Sequence, residues 1–314
     1  MDESDGMAES GADRGKSEPA APEPSLAALY AEPFRILRPF RQTVPFVFAS
    51  PHSGRSYPES FVAASRLGAT LLRRSEDAFV DELFCGAVAL GAPMIAARFP
   101  RAYLDANRAA GELDGAMFEG ALPVAVDVPS PRVTAGLGVI PRVVRDGAEI
   151  YRGKLAPREA EDRLTKLYRP YHAALAELIA ETHEHFGVAV LIDCHSMPSA
   201  AAIPDIVLGD RYGMAAAPLV TRAAELAFEA QGFSHARNAP YAGGYTTHLH
   251  GRRDRDVHAI QIEINRALYL DEERISRGPR FEQVHARLTE ALTRLVAIEP
   301  ALLTRHRRHN LAAE

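Results

Sequence analysis

Val190-Leu191-Ile192-Asp193-Cys194-His195-Ser196-Met197-Pro198 is an apolar run that ends in an aspartate, a histidine and a helix-breaking proline. Its composition predicts a buried strand with polar chemistry at its mouth. In an open α/β sheet ligands bind in the crevice outside the carboxyl ends of the strands, so His195 is a site candidate. Val44-Pro45-Phe46-Val47-Phe48-Ala49-Ser50-Pro51-His52-Ser53-Gly54 repeats the design: an apolar run closed by His-Ser with proline and glycine beside it. Two histidines arriving from neighbouring strand ends point to a shared metal, because His is the commonest metal ligand among side chains.

Outward from these strands, apolar segments alternate with helical patterns, which predicts an α/β architecture. Short helices are expected over Ala63–Leu72 and, more firmly, over Asp77–Ala89, with Ser75 as N-cap and Glu76 and Asp77 in the first turn. Met94–Ala97 reads as a strand. A long helix is expected from Pro157 to His185, capped by Gly187, and further helices over Met214–Glu229 and Pro279–Ile298. Ile206–Gly209 and Val257–Arg266 read as strands, and Ala27–Phe40 has no clear period. Residues 111–147, rich in Gly, Pro and Val, read as an insertion, of a length more often used as a functional lid than as an idle connection.

Residues 1–25 have the composition of a disordered tail, residues 26–304 are expected to form a single domain, and 305–314 form a basic C-terminal tail. The 314 residues are 47% hydrophobic and 25% charged with a net charge of -5, so neither nucleic acid nor an anionic membrane is an expected partner. No run of about 18 apolar residues offers a membrane span. Cys85 and Cys194 form no C-x-x-C pair, which leaves neither a disulfide framework nor a thiolate metal site and fits a reducing cytoplasm.

A hydrolytic metal site commonly combines two histidines with a carboxylate and leaves one position open. By position alone Asp77, Glu76 or Asp81 could complete such a set. Period-two alternation places Gln261, Glu263 and Asn265 on one strand face, and a carboxylate among so many β-branched residues needs a task or a wet edge. Glu263 is therefore the candidate general acid/base. Arg101 to Arg108 suits recognition of a substrate carboxylate, since a guanidinium is a rigid bidentate fork. Cys194 should point to the opposite face from Asp193 and His195, and Asp193 could orient His195. His172, His183, His185 and the histidines after Arg305 are expected at solvent.

Ser50-Pro51-His52-Ser53-Gly54, Ser75-Glu76-Asp77, Asp105-Ala106-Asn107-Arg108, Asp193-Cys194-His195-Ser196 and Gln261-Ile262-Glu263 together resemble the N-formylglutamate amidohydrolase family, over about Val44 to Tyr269. The resemblance implies a mixed, mostly parallel central sheet flanked by helices, phosphorylase/hydrolase-like as in the zinc carboxypeptidases. It also implies a zinc hydrolase that releases formate from an N-formyl amino acid. Under it, His52, Asp77 and His195 hold Zn2+ and Glu263 is the acid/base. Arg101 polarises the scissile carbonyl, Asn107 and Arg108 clamp the substrate carboxylate, and Thr247 and His248 lie at the substrate. Two positions depart from the relatives. Arg55 stands where zinc carboxypeptidases have a ligand glutamate, and His248 stands where family members often have an arginine, which bears on glutamate specificity. The rival expectations are a zinc deacylase or peptidase for other N-acyl amino acids, and a non-catalytic metal- or ligand-binding relative.

Overall fold

The computed structural model describes residues 25–304 apart from 128–129, 145–146 and 201. Both predicted tails therefore lie outside the described residues, save Ser25, whose Oγ accepts a hydrogen bond from the Ala28 amide and caps α1 (Leu26–Ala31). Seven strands form one sheet: β1 (Phe34–Leu37), β2 (Phe46–Ser50), β3 (Met94–Ala97), β4 (Ala189–Met197), β5 (Ile206–Gly209), β6 (His235–Arg237) and β7 (Val257–Asn265). Their order is β1-β3-β2-β4-β7-β5-β6. The neighbours β3-β2-β4-β7 are mutually parallel and β5-β6 is parallel, while β1 on β3 and β5 on β7 are antiparallel. The sheet is thus mixed and mostly parallel.

Period-two alternation divides the core into two layers. Phe46, Phe48, Val190, Ile192, Cys194, Ile260 and Ile262 face one cluster. Val47, Ala49, Leu191 and Ala259 face the other. Burial on both faces is what near-continuous apolar runs in parallel strands encode. It also settles Glu263: β7 lies between β4 and β5, so no wet edge exists there and the carboxylate is buried.

The helices depart from the periodic reading where function-bearing residues interrupt it. The segment 63–72 is split between α2 (Glu59–Ala64) and α3 (Ala69–Arg73). The helix expected over Asp77–Ala89 is broken into α4 (Val80–Leu83) and α5 (Gly86–Ala89), with Phe79 in the left-handed region at φ 62°. The cause is local: the Asp77 amide donates to the His52 carbonyl at 2.9 Å, holding Asp77 in a loop against the β2 end. Ser75 consequently caps nothing and its hydroxyl donates back to the Leu72 carbonyl.

The described part of the insertion carries a 3-10 turn at Gly115–Met117 and a short helix, α6 (Pro131–Thr134), with Ser130 as N-cap. The long helix is α7 (Pro157–Arg163), a π-helical turn at Leu164–Tyr168, and α8 (Arg169–Phe186), ended by Gly187 at φ 71°. The π turn brings the Tyr168 hydroxyl onto the Arg108 carbonyl at 2.7 Å. α9 (Pro218–Glu229), α10 (Tyr245–His250) and α11 (Phe281–Val296) complete the layers. His172 on α8 is buried rather than at solvent, donating through Nε2 to the Ala106 carbonyl. Among the described residues no helix is long and apolar enough to cross a membrane.

Candidate active site

Because β2, β4 and β7 are parallel, their carboxyl ends open on one side. The polar residues of β4 and β7 share the face that carries α8. Pairing in register sets His195 beside Glu263 and Asp193 beside Gln261. His52 lies two residues past β2, in a turn packed tightly on the segment after β3: a Cβ on Gly54 would stand 2.1 Å from the Phe99 carbonyl oxygen, so only glycine fits.

Three side chains meet there. Nδ1 of His195 lies 3.0 Å and Nδ1 of His52 3.3 Å from the same oxygen, Oδ2 of Asp77. Ligand atoms of the three residues all fall within 4.8 Å of one another, and all three residues are buried. The two alternatives to Asp77 go elsewhere. Glu76 accepts from Tyr57 and Arg73, and Asp81 pairs with Arg35.

The outer nitrogens are also held. Nε2 of His52 meets Asp105 Oδ1 at 2.7 Å, and Nε2 of His195 lies 3.0 Å from Asp193 Oδ2 and 3.3 Å from Asn107 Nδ2. Asp105, accepting from Nε2 of His52, favours the tautomer that leaves Nδ1 of that ring with its lone pair, the arrangement found around metal-ligating histidines, while Asp193 lies beside Nε2 of His195 as an ion-pair contact. The other oxygen of Asp77, Oδ1, accepts from Ser196 Oγ at 3.1 Å and from Arg266 at 2.9 Å. One oxygen is thus anchored and the other is aimed at the histidines. Two imidazole nitrogens and one carboxylate oxygen, oriented this way, fit a zinc-like divalent cation.

The electrostatics follow from burial and pairing. Burial works against the charge on Asp77, but the His195 and His52 rings packed against it outweigh burial and hold the carboxyl well below its usual range. Asp105 is likewise held low, the arginines at 101 and 108 and His52 overcoming its burial. Glu263 goes the other way: burial, helped by the charge of Asp77, pushes its carboxyl up to about 7 against the pull of His195 and Arg101.

Glu263, His52, His195, Arg101, Asn107 and Arg108 line a cleft of about 520 Å³. Leu137, Pro141, Val143 and Arg132 of the insertion form one of its walls. Arg101 is tied by Nε to Asp105 at 3.1 Å. Arg108 donates to the carbonyls of Leu137 and Asn107. Asn107 is largely engaged within the protein, since its Oδ1 accepts from the Thr246 amide at 2.8 Å.

Thr247 and His248 do not line this cleft. α10 begins at Tyr245, so its first turn carries Thr247 into the interior and His248 to the surface. The Gly-rich loop meets the cleft instead through Tyr241, Ala242, Gly243 and Gly244. Gln261 joins it to the acid/base candidate: its Oε1 accepts from the Gly244 amide and its Nε2 donates to Glu263, both at 2.6 Å.

Asp105, Arg266 and Ser196 had been given no role from the sequence. Asp105 stood two residues before Asn107 and could have been weighed as a partner for a histidine. Arg266 carries no comparable signal, because its partner Asp77 lies 189 positions away.

Fold and site together define a hydrolase-type α/β domain with a His-Asp-His donor set beside a buried glutamate. The family model for N-formylglutamate amidohydrolase matches residues 44–270. N-formylglutamate deformylase of Pseudomonas aeruginosa is 30% identical over 269 residues, covering 82% of this chain and 94% of that protein. The Pseudomonas putida deformylase is 28% identical over 76% of this chain and 86% of its own. The crystal structure of N-formylglutamate amidohydrolase from Ralstonia eutropha JMP134 superposes with a TM-score of 0.78 at 33% identity, covering 88% of this chain and 99% of that one. The chain belongs to the N-formylglutamate amidohydrolase family and is an amidohydrolase.

Proposed function

We propose that this enzyme is a zinc-dependent amidohydrolase that cleaves the formyl amide of N-formylglutamate to the free amine and formate, or the amide of a similar N-acyl amino acid to the free amine and the corresponding carboxylate. The observation that carries the reading is the convergence of His52, Asp77 and His195 on one point of a cleft that also holds Glu263. His52, Asp77 and His195 would hold the zinc. When bound, the metal supplies a Lewis acid that activates water and steadies negative charge on the acyl oxygen.

Glu263 takes the proton from the attacking water as its oxygen bonds to the formyl carbon. It then returns that proton to the amine nitrogen as the C–N bond breaks. A carboxyl raised to about 7 suits both roles near neutral pH. The terminal nitrogens of Arg101 donate to the developing oxyanion, its Nε being fixed on Asp105. Arg108 receives the α-carboxylate, and Asn107 steadies the Gly-rich loop and the outer edge of His195. The two free thiols, Cys85 and Cys194, suit a reducing cytoplasm.

The test is formate release from N-formylglutamate and a panel of N-formyl and N-acyl amino acids, with and without a chelator, for the parent and Glu263→Gln. Loss of turnover in both the chelated protein and the variant is expected. Undiminished activity in Glu263→Gln would overturn the assignment of the acid/base. Zinc retained without turnover of any substrate in the panel would instead mark a binding protein on the same scaffold.

A further inference from the structure

The cleft contains more positive charge than its own carboxylates use. Of its arginines, Arg266 is spent on Asp77 and Arg101 on Asp105. Arg108 is buried and clamped by the carbonyls of Leu137 and Asn107, with Asp105 only at 3.9 Å. Arg132, on α6 of the insertion, lines the same cleft, is exposed, and has no ion-pair partner among the described residues. Its charge is felt at Arg108: burial first, then repulsion from Arg101 and Arg132, lowers the hold of Arg108 on its proton. Two guanidinium groups lining one cleft, Arg108 with only the 3.9 Å contact to an Asp105 already bound by Arg101 and Arg132 with no ion pair among the described residues, are a poor arrangement for the empty protein and a good one for a ligand with two negative charges.

The position of Arg132 is built. Ser130 caps α6 through the Val133 amide and its hydroxyl donates to Glu112, while Glu112 in turn accepts from the Ala109 amide next to Arg108. The helix bearing Arg132 is therefore tied to the segment bearing Arg108. His248 is exposed and lies outside the lining of the cleft.

Resting on the proposed amide hydrolysis, we infer that Arg132 is a specificity-determining residue that selects substrates with a second carboxylate on the side chain. Arg108 takes the α-carboxylate and Arg132 the distal one, so the insertion sets the substrate class. An acidic N-acyl amino acid is preferred over its neutral amide isostere by the charge-assisted contact to Arg132.

The experiment compares the parent, Arg132→Gln and Arg132→Lys in two arms. Calorimetric binding of L-glutamate and L-glutamine to the purified protein reads selectivity without chemistry. The ratio of kcat/KM for N-formylglutamate over N-formylglutamine reads it with chemistry. The parent should favour the acid in both arms, and Arg132→Gln should lower each ratio by about tenfold or more, mainly through Kd and KM. Arg132→Lys should restore part of the preference. A parent without preference, or a preference untouched in Arg132→Gln, overturns the inference and leaves the hydrolysis standing. Absence of turnover with every formyl amino acid overturns the hydrolysis, and the binding arm still decides the selectivity of Arg132.

Discussion

Glu263→Gln should make the metal-free protein more stable as the pH rises. Glu263 is only 6% exposed, and burial lifts its carboxyl from 4.5 to about 7. The native state therefore binds this proton more tightly than the unfolded chain. Between those two values the unfolded state is ionised and the native state is not, so stability falls as pH increases and levels off above 7. A difference of about 2.5 units at ~1.4 kcal/mol each corresponds to about 3 kcal/mol between pH 4.5 and pH 8. Glutamine removes the titration while keeping an oxygen that can accept the hydrogen bond now given by Gln261. Urea unfolding of both chelated proteins across this range checks it. The stability of the variant relative to the parent should climb by about 3 kcal/mol toward alkaline pH. A difference that stays flat, or runs the other way, would refute the account of Glu263 as a carboxyl raised by burial.

Further outcomes concern the groups behind the three candidate ligands. Asp105→Asn keeps the shape beside His52 but removes the charge at 2.7 Å, and competition with a chelating dye should show metal affinity lower by about 10–100-fold. An unchanged affinity would mean that Asp105 does not set the ring of His52. Arg266→Met leaves the buried Asp77 without its cation and should cost about 3–5 kcal/mol in the chelated protein, read by denaturant unfolding. Gly244→Ala puts a methyl group 2.3 Å from the Asn107 amide. The loop must shift, so kcat/KM should fall while thermal stability drops by about 1–3 kcal/mol. Parent-like kinetics there would show that the loop position is unimportant to the cleft.

The apolar runs ending at Ser50 and Met197, alternating with helical patterns, determined the α/β class. Burial on both faces needs continuous apolar strands, and that requirement is local enough to read. The same is true of His52 and His195, which had to stand at strand mouths because the runs stop there, and of Glu263, which period two put on one face with Gln261. Helical period alone failed at 77–89, where Asp77 is held to the His52 carbonyl and the chain cannot start a helix until Val80.

Tertiary structure decided which carboxylate joins the histidines. Glu76, Asp77 and Asp81 are equivalent by spacing, and only the folded chain sends Glu76 to Arg73, Asp81 to Arg35 and Asp77 inward. It also decided that Arg266 anchors Asp77, that Asp105 holds His52, and that Arg132 rather than His248 faces the cleft. The pairings of Asp105 with His52 and of Arg266 with Asp77 join residues 53 and 189 positions apart, and no local periodicity records contacts of that span.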